Sequence, residues 1–335
     1  MTADARHKES EMNFMRNDTM TVCGVTAGLG KTALGFAAVP GSDIKIPLAL
    51  VNGERPGPSL LLTAGIHGAE YPGIAALSEL AQELDAHDIA GAVIMLYPVN
   101  IQGFWKRCDF VVPDDEKNLN RIFPGSPRGT LAERTAYLLV SDFFPAADFY
   151  ADLHSGDLHE NLCPHVYYPG QPDATVESKS KRMAQSLDMK YMVRSLASGG
   201  AYNYAASTGL PSILIERGSL GLCPRSDIDA YKKDVMRLMY GLGMTEAVPE
   251  PQRFVPKDIK NMAYLEAPQD GCWLEEAKCG ATIKKGEPLG RMRGFFCEEE
   301  TVFTAEHSGV LLYSCSAFAA PEGVVLAAYG VPDEG

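Results

Sequence analysis

Short, uninterrupted apolar runs recur between residues 59 and 217 of this 335-residue chain. Runs of this length are typical of β-strands that are buried on both faces of a sheet. The segments with this pattern are 59–66, 92–99, 149–155, 165–169 and 212–217. Residues 20–52 mix glycine with shorter β-prone pieces, which predicts further strands that lead into the same sheet.

Segments with apolar residues at helical spacing lie between and after these runs. They are 73–84, 130–144, 177–187 and 226–242. Strands and helices in alternation predict an α/β fold, in which helices flank a mixed, largely parallel sheet. Ligands bind such sheets beyond the carboxyl ends of the strands, so the candidate site residues are sought there.

The pattern changes at residues 248–258, where three prolines and several charges interrupt it. Beyond this point, β-prone pieces separated by glycine turns predict a small all-β barrel or sandwich. We therefore predict a polar N-terminal segment at 1–19 and a main domain at 20–247. A linker at 248–261 and the β domain at 262–335 complete the chain.

Composition limits the classes of partner. The formal charge of −13 repels a nucleic-acid backbone and no basic patch is present, so we expect no nucleic-acid partner. No apolar run is long enough to span a bilayer, and the N-terminal segment lacks the apolar stretch of a signal peptide. The eight cysteines form no CxxC pair, as expected in a reducing compartment. These features predict a cytoplasmic protein with no membrane partner, and they leave a homo-oligomer open.

Three candidate metal ligands lie at the ends of two apolar runs. His67 and Glu70 follow the run at 59–66 on a glycine-bearing turn, and His154 lies at the end of the run at 149–155. Two histidines and a glutamate, with water in the fourth position, are a common ligand set of catalytic zinc. Such a metal lowers the pKa of its water to about 7 and polarises a carbonyl. The HxxE spacing alone also occurs by chance, but the three residues together predict one Zn²⁺ per chain.

Glu216 lies near the end of another apolar run, at 212–217, and is the candidate general base. A carboxylate beside the metal takes a proton from water and returns it to a leaving amine, which contributes about 10²–10⁴-fold to the rate. The alternative is a surface ion pair with Arg217, which the apolar run before Glu216 disfavours.

The loop at 105–129 is long enough to indicate a function. It carries Arg107, Asn120 and Arg121, which suit a developing oxyanion and a substrate carboxylate because guanidinium groups pair with carboxylates through two hydrogen bonds. For Arg107, a solvated loop arginine is an alternative of nearly equal weight.

Four segments occur in the order HGAE, NLNRIFPG, DLHSG and IERG, and with them the chain resembles the succinylglutamate desuccinylase/aspartoacylase family of zinc carboxypeptidase-like hydrolases. The resemblance covers residues 20–245, and the segment that follows is similar to the C-terminal β domain of that family. The resemblance implies zinc on His67, Glu70 and His154, with Glu216 as the general base.

The resemblance also implies roles for the long loop. Asn120 and Arg121 would contact the substrate, and an arginine would polarise the scissile carbonyl. That arginine corresponds loosely to Arg107, whose spacing to the NLNR segment is longer than in the aspartoacylases.

These features predict a zinc-dependent hydrolase of the deacylase type, acting on C–N bonds other than peptide bonds. It would cleave a small, carboxylate-bearing N-acyl amino acid or related amide by attack of metal-bound water, giving a carboxylate and a free amine. One alternative is a metallocarboxypeptidase or amidase that acts on peptides. Another is a non-catalytic metal- or ligand-binding protein, which would have no need of Glu216.

Other signals are interpreted as structural. Residues 24–35 resemble a phosphate-binding loop but have one residue too many before the Gly-Lys-Thr, so we predict a turn between strands. The C-terminal segment resembles biotinyl or lipoyl carriers but lacks the lysine that is modified. His159 and His165 lie near His154 in the sequence and could support the metal ligands or contact substrate, but we interpret each as a structural or exposed histidine. Asp152 either orients a metal-bound histidine or faces the opposite side of the sheet.

Overall fold

A computed structural model of the chain describes residues 18–170, 173–297 and 300–333. Residues 1–17 of the predicted N-terminal segment lie outside the described residues. In the described part, no helix is long and apolar enough to cross a membrane.

The elements before residue 250 form the part of the fold that holds the candidate site. The strands are β1 (Thr19–Val22), β2 (Val25–Gly28), β3 (Lys31–Ala38), β4 (Lys45–Asn52), β5 (Arg55–Ala64), β6 (Ala90–Leu96), β7 (Val111–Val112), β8 (Lys117–Asn118), β9 (Phe149–His154), β10 (Glu160–Leu162), β11 (His165–Pro169), β12 (Tyr191–Ser195) and β13 (Ser212–Glu216). The helices are α1 (Tyr71–Glu83), α2 (Ile101–Lys106), α3 (Leu131–Leu138), α4 (Ala174–Gln185), α5 (Ala201–Ser207) and α6 (Arg225–Gly241).

The remaining strands follow residue 256. They are β14 (Lys257–Glu266), β15 (Gly271–Glu275), β16 (Thr282–Ile283), β17 (Pro288–Arg293), β18 (Thr301–Thr304), β19 (Gly309–Cys315), β20 (Ala319–Ala320) and β21 (Val325–Pro332).

One large mixed sheet organises the chain, in the order β10-β19-β21-β14-β12-β11-β13-β9-β5-β6-β4-β3. The strands β13, β9, β5 and β6 are parallel to their neighbours in this group, whereas β11 is antiparallel to β13. Leu60, Leu61 and Leu62 of β5 are fully buried although they point to alternate faces. The predicted α/β fold with a mixed, helix-flanked sheet is confirmed.

Each face of the sheet has its own hydrophobic core. On one face, α1, α4 and α6 pack through residues such as Leu77, Met183 and Leu238. On the other face, α3 and α5 pack through residues such as Leu131 and Ala205. Because helices cover both faces of the sheet, polar side chains meet at the carboxyl ends of its strands.

One predicted helix differs in detail from the structure. The predicted helix at 130–144 is an α-helix only to Leu138 and continues as a wider π turn and a 3₁₀ turn, which contains Pro145. Proline donates no backbone hydrogen bond, so a regular helix cannot continue through it. The phosphate-loop-like segment at 24–35 contains the turn between β2 and β3, as predicted.

The C-terminal segment joins the large sheet. Its first strand, β14, begins within the predicted linker and pairs in parallel with β12, where Met192 lies opposite Asp258. The strands β18, β17, β15 and β20 form a separate small antiparallel sheet. Its Trp273 and Met292 pack with Cys315 and Leu326, which belong to β19 and β21. The predicted C-terminal all-β region is confirmed, and the domain boundaries stay a prediction.

Candidate metal centre

The turn between β5 and α1 carries two of the candidate ligands. His67 and Glu70 lie on this turn, and Pro72 stands in the first turn of α1, where a missing amide hydrogen costs nothing. Gly68 lets the turn approach α2 closely, because a Cβ there would lie 2.2 Å from the carbonyl carbon of Gly103. The backbone of the turn therefore packs directly against the backbone of α2.

Strand pairing brings the third ligand and the candidate base together. Glu216 at the end of β13 lies directly opposite His154 at the end of β9 in the parallel register. Opposite residues of neighbouring strands project to the same face of a sheet. His154 and Glu216 therefore stand side by side at the carboxyl edge, beside the turn that bears His67 and Glu70.

The donor atoms of His67, Glu70 and His154 all lie within 4.8 Å of one another. Glu70 faces both histidines: its Oε1 is 2.7 Å from Nδ1 of His67, and its Oε2 is 2.9 Å from Nδ1 of His154. The same Oε2 also accepts from the backbone amide of Ser155 at 3.0 Å. Two imidazole nitrogens and a carboxylate that converge in this way are consistent with binding of one metal ion.

The charges of this group depend on one another. Burial would raise the pKa of Glu70, but His154 and His67 outweigh it and hold that pKa at about 2. Burial likewise opposes a charge on His154, yet the carboxylates of Glu70 and Asp152 hold its pKa well above the usual value. Without a metal, the group therefore carries a proton that a cation would replace.

Asp152 faces His154, which decides between the two orientations left open above. Its Oδ2 accepts from Nε2 of His154 at 3.0 Å, and its Oδ1 accepts from the Thr63 hydroxyl at 2.6 Å. The Thr63 hydroxyl also lies 2.7 Å from the hydroxyl of Tyr150. Metal-binding histidines are commonly oriented by such a carboxylate. Thr63 was not predicted, although a polar residue within an apolar run was the available signal.

The NLNR segment lies against His67. Asn118, which was not predicted, has its Oδ1 at 3.2 Å from Nε2 of His67 and at 2.8 Å from the backbone amide of Asn120. Asn120 is buried and its Oδ1 accepts from the amide of Ala201 at the start of α5. Arg121 is exposed and donates to the carbonyl oxygen of Asn120 at 2.9 Å.

Arg107 stands at the end of α2 in the left-handed backbone conformation, with φ of 54°. Its side chain is exposed. Burial raises the pKa of the Tyr71 hydroxyl, and the charge of Arg107 partly offsets this rise. Since Tyr71 directly follows Glu70, this loop faces the metal-binding turn. Arg107 thus lies near Tyr71, the neighbour of Glu70, and makes no hydrogen bond or ion pair with the three ligands.

Glu216 lacks a hydrogen-bond partner among the described residues at its buried Oε2 atom. Burial raises the pKa of its carboxyl well above the usual value, and the charge of His154 opposes this shift. The carboxylates of Glu70, Glu160 and Asp152 add to the rise. An unpartnered carboxyl with a raised pKa, close to a metal-binding group, is a typical environment of a general acid or base.

Further polar residues near Glu216 were not predicted. Burial raises the pKa of Asp157 and of Glu160 to about 7. The charge of Glu70 adds to both shifts, and that of Asp157 adds to the shift of Glu160. Tyr202 is buried and Tyr167 is half-buried, and burial together with the charge of Glu216 raises the pKa of both. Tyr264 of β14 adds to the rise for Tyr167, so the C-terminal segment comes close to this group.

A separate cavity of about 990 Å³ is lined by the ends of α1 and α6, with residues such as Leu80 and Met236. None of the candidate site residues lines it. We therefore place the chemistry at the strand ends and not in this cavity.

Comparison with known proteins agrees with this geometry. Residues 56–242 match the succinylglutamate desuccinylase/aspartoacylase catalytic domain, a range that includes all four sequence segments named above. The chain is 29% identical over 275 residues to the N-alpha-acetyl-L-2,4-diaminobutyric acid deacetylase of Halomonas elongata, which covers 76% of either protein.

Two solved structures are similar over nearly the whole chain. A succinylglutamate desuccinylase from Silicibacter sp. TM1040 is 25% identical, with a TM-score of 0.79 over 90% of this chain and 95% of the other. The product-bound ectoine utilization protein EutE (DoeB) of Ruegeria pomeroyi is 24% identical, with a TM-score of 0.83 over 95% and 99%. The second likeness supports the fold alone.

Proposed function

The chain belongs to the succinylglutamate desuccinylase/aspartoacylase family, and from that membership we propose that it is a zinc-dependent deacylase of N-acyl amino acids. The reaction adds water across the amide bond and yields a carboxylate and a free amine. The observation that carries the proposal is the convergence of His67, Glu70 and His154 beside the unpartnered carboxyl of Glu216.

The three donors fit zinc. Zn²⁺ is bound in hydrolases by two histidines and a glutamate with one open position, and a carboxylate commonly orients a histidine from behind, as Asp152 does for His154. When bound, zinc lowers the pKa of water and polarises a carbonyl. We propose one zinc ion per chain, held by His67, Glu70 and His154.

Glu216 is proposed to move the proton. Its carboxylate takes a proton from the attacking water and then delivers it to the nitrogen of the leaving amine. Burial, together with the carboxylates around it, raises the pKa of Glu216, which favours the protonated form that delivers the proton to the amine. Its position opposite His154 places it within reach of the metal-binding group.

We propose that the NLNR segment binds the carboxylate of the substrate. Arg121 is exposed next to the buried Asn120, and a guanidinium pairs with a carboxylate through two hydrogen bonds. Arg107, at the rim near Tyr71, is proposed to polarise the scissile carbonyl. Because a similar protein is named for N-acetylated 2,4-diaminobutyric acid, that compound is the first candidate substrate.

The deciding experiment is Glu216→Gln, which removes the titratable carboxyl and keeps its shape. We expect full zinc content and a kcat about 10²–10⁴-fold lower on the best member of a panel of N-acyl amino acids. Zinc content is measured by elemental analysis of the desalted protein. Wild-type turnover in the variant would show that Glu216 is not the base.

The panel also separates the proposal from its alternatives. It contains N-acetyl and N-succinyl amino acids, dipeptides and longer peptides. Preference for peptides would indicate a carboxypeptidase or amidase instead. Zinc binding without hydrolysis of any member would indicate a metal-binding protein that lacks catalysis.

A further inference from the structure

His165 is a buried histidine at the start of β11, with 1% of its surface exposed. Its register partner in the antiparallel pairing with β13 is Glu216, whose own partner in β9 is His154. Side chains at opposite positions of paired strands project to the same face. His154, Glu216 and His165 therefore form one row across three adjacent strands, at the carboxyl edge of β9 and β13.

The position of the proton on His165 follows from its contacts. Nδ1 lies 2.7 Å from the backbone carbonyl oxygen of Cys163, which can only accept, so Nδ1 carries the hydrogen. Burial lowers the pKa of His165 to about 4, so the imidazole is neutral. Nε2 therefore presents a lone pair, and its orientation is supported by edge-to-face packing on Tyr167, with ring centroids 4.8 Å apart.

Nε2 of His165 is buried and has no hydrogen-bond partner among the described residues. The same holds for Oε2 of Glu216, its neighbour in the row. Both atoms accept hydrogen bonds when Glu216 is ionised, and a buried acceptor without a donor is unfavourable. Among the described residues, no donor satisfies these two acceptors. A ligand with an N–H group would supply it.

The row leads toward Arg121 through neighbouring side chains. Tyr167 lies two residues after His165 on the same face, and its ring is 6.5 Å from that of Tyr202 in α5. The first residue of α5, Ala201, donates its amide to Asn120, the neighbour of Arg121. Arg121 is the proposed carboxylate-binding residue. A substrate that reaches from the metal-binding group to Arg121 therefore passes Glu216 and His165.

We propose that Nε2 of His165 accepts a hydrogen bond from the N–H of the scissile amide. This inference rests on the proposed function, because Glu216 must lie within hydrogen-bond reach of that nitrogen to protonate it. His165 occupies the next position of the row, so the nitrogen of the scissile amide lies within hydrogen-bond reach of both Glu216 and His165. The hydrogen bond to His165 turns the nitrogen lone pair toward Glu216 and holds the amine as the C–N bond breaks. His165 is thus a catalytic residue that selects amides.

The test compares an amide with the ester that lacks this hydrogen. N-acetylalanine and O-acetyllactate have the same skeleton, with oxygen in place of the scissile N–H in the ester. His165→Phe keeps a buried ring and removes the acceptor. We expect kcat for the amide to fall about tenfold to a hundredfold, as for loss of one transition-state hydrogen bond. We expect the kcat for the ester to fall much less, so that the ratio of amide to ester kcat drops by most of that factor.

Three controls keep the result specific. His165→Gln retains an acceptor and should recover part of the amide activity. His159→Phe alters an exposed histidine of the same segment and should change neither substrate. Melting temperature and zinc content of each variant show whether the fold and the metal-binding group are retained.

Equal loss on both substrates in His165→Phe would overturn the inference while the deacylase function stands. Unchanged hydrolysis of both would do the same. A wild-type enzyme that hydrolyses the ester but no amide of the panel would overturn the proposed function and the inference together.

Discussion

At the scale of single residues, the metal-binding group is held by partners behind it. His154 is fixed by Asp152, which in turn is fixed by Thr63. His67 is held on one side by Glu70 and on the other by Asn118. Each ligand is thus oriented before a metal arrives, which reduces the ordering cost of binding.

The first prediction at this scale concerns Asp152. Asp152→Asn removes the negative charge that orients His154 while keeping the side-chain volume, so zinc affinity should fall about 10–100-fold. Competition with a chromogenic chelator measures the affinity. Asp148→Asn is the matched control, because Asp148 precedes the other end of β9 and is exposed. Equal affinity in Asp152→Asn and wild type would show that the contact does not support the metal.

The second prediction is that zinc binding depends on pH, because His154 must lose a proton to bind the metal. Glu70 and Asp152 hold the pKa of His154 above its ordinary value of 6.5, so metal-free His154 keeps its proton near neutral pH. An imidazolium cannot bind a metal, so zinc binding should release a proton and weaken as pH falls. Calorimetric titration with zinc in two buffers of different ionisation enthalpy measures this release. Buffer-independent enthalpies at neutral pH would contradict it.

At the scale of elements, the decisive piece is the turn between β5 and α1. Strand-end histidines could be predicted because the apolar run at 59–66 ends directly before His67. The close packing of this turn on α2 could not, because nothing in the local sequence indicates that Gly103 is its neighbour. Glycine is needed at position 68 because a side chain there would clash with the backbone of α2.

This packing predicts that Gly68→Ala is harmful. The added Cβ would lie 2.2 Å from a backbone carbon of Gly103, so the turn must move away from α2 and carry His67 and Glu70 with it. We expect a lower melting temperature and weaker zinc binding. Gly28→Ala is the control, because the nearest atom to its Cβ would be a lysine side-chain carbon at 3.9 Å. Similar behaviour of both variants would show that the turn has room to spare.

At the scale of the whole molecule, the C-terminal segment is joined to the part of the fold that holds the candidate site. Its strand β14 extends the large sheet, and β19 pairs with β10, which follows the loop after His154. Buried Asp258 of β14 accepts from the hydroxyl of Tyr168 at 2.9 Å and from Lys181 at 2.6 Å. These contacts tie the two regions together.

We therefore expect Asp258→Ala to destabilise the whole chain. The change leaves the hydroxyl of Tyr168 and the ammonium of Lys181 without their acceptor, which costs about 1–3 kcal/mol. Chemical denaturation followed by fluorescence measures the free energy of unfolding. Lys260→Ala, which breaks only an exposed ion pair with Asp333, should change it little. A separate early transition of the C-terminal segment in the wild type would contradict this coupling.

The sequence alone predicted the central strands and most of the helices, but not β12, α2 and α5. It also predicted that His67, Glu70, His154 and Glu216 lie at the ends of apolar runs. Those properties are local, because strand burial and strand ends are visible in the order of apolar and polar residues. The resemblance of four short segments then identified the family, which the comparison confirms.

Only the tertiary structure decided which strands are neighbours. The pairing of Glu216 with His154 and with His165, the orientation of Asp152, and the entry of β14 into the large sheet all join residues that are far apart or unconstrained in the sequence. A strand's pattern shows which residues share a face, but the partner strand is selected by non-local packing of the whole chain. For that reason His165 read as an ordinary histidine in the sequence and lies beside the proposed base in the fold.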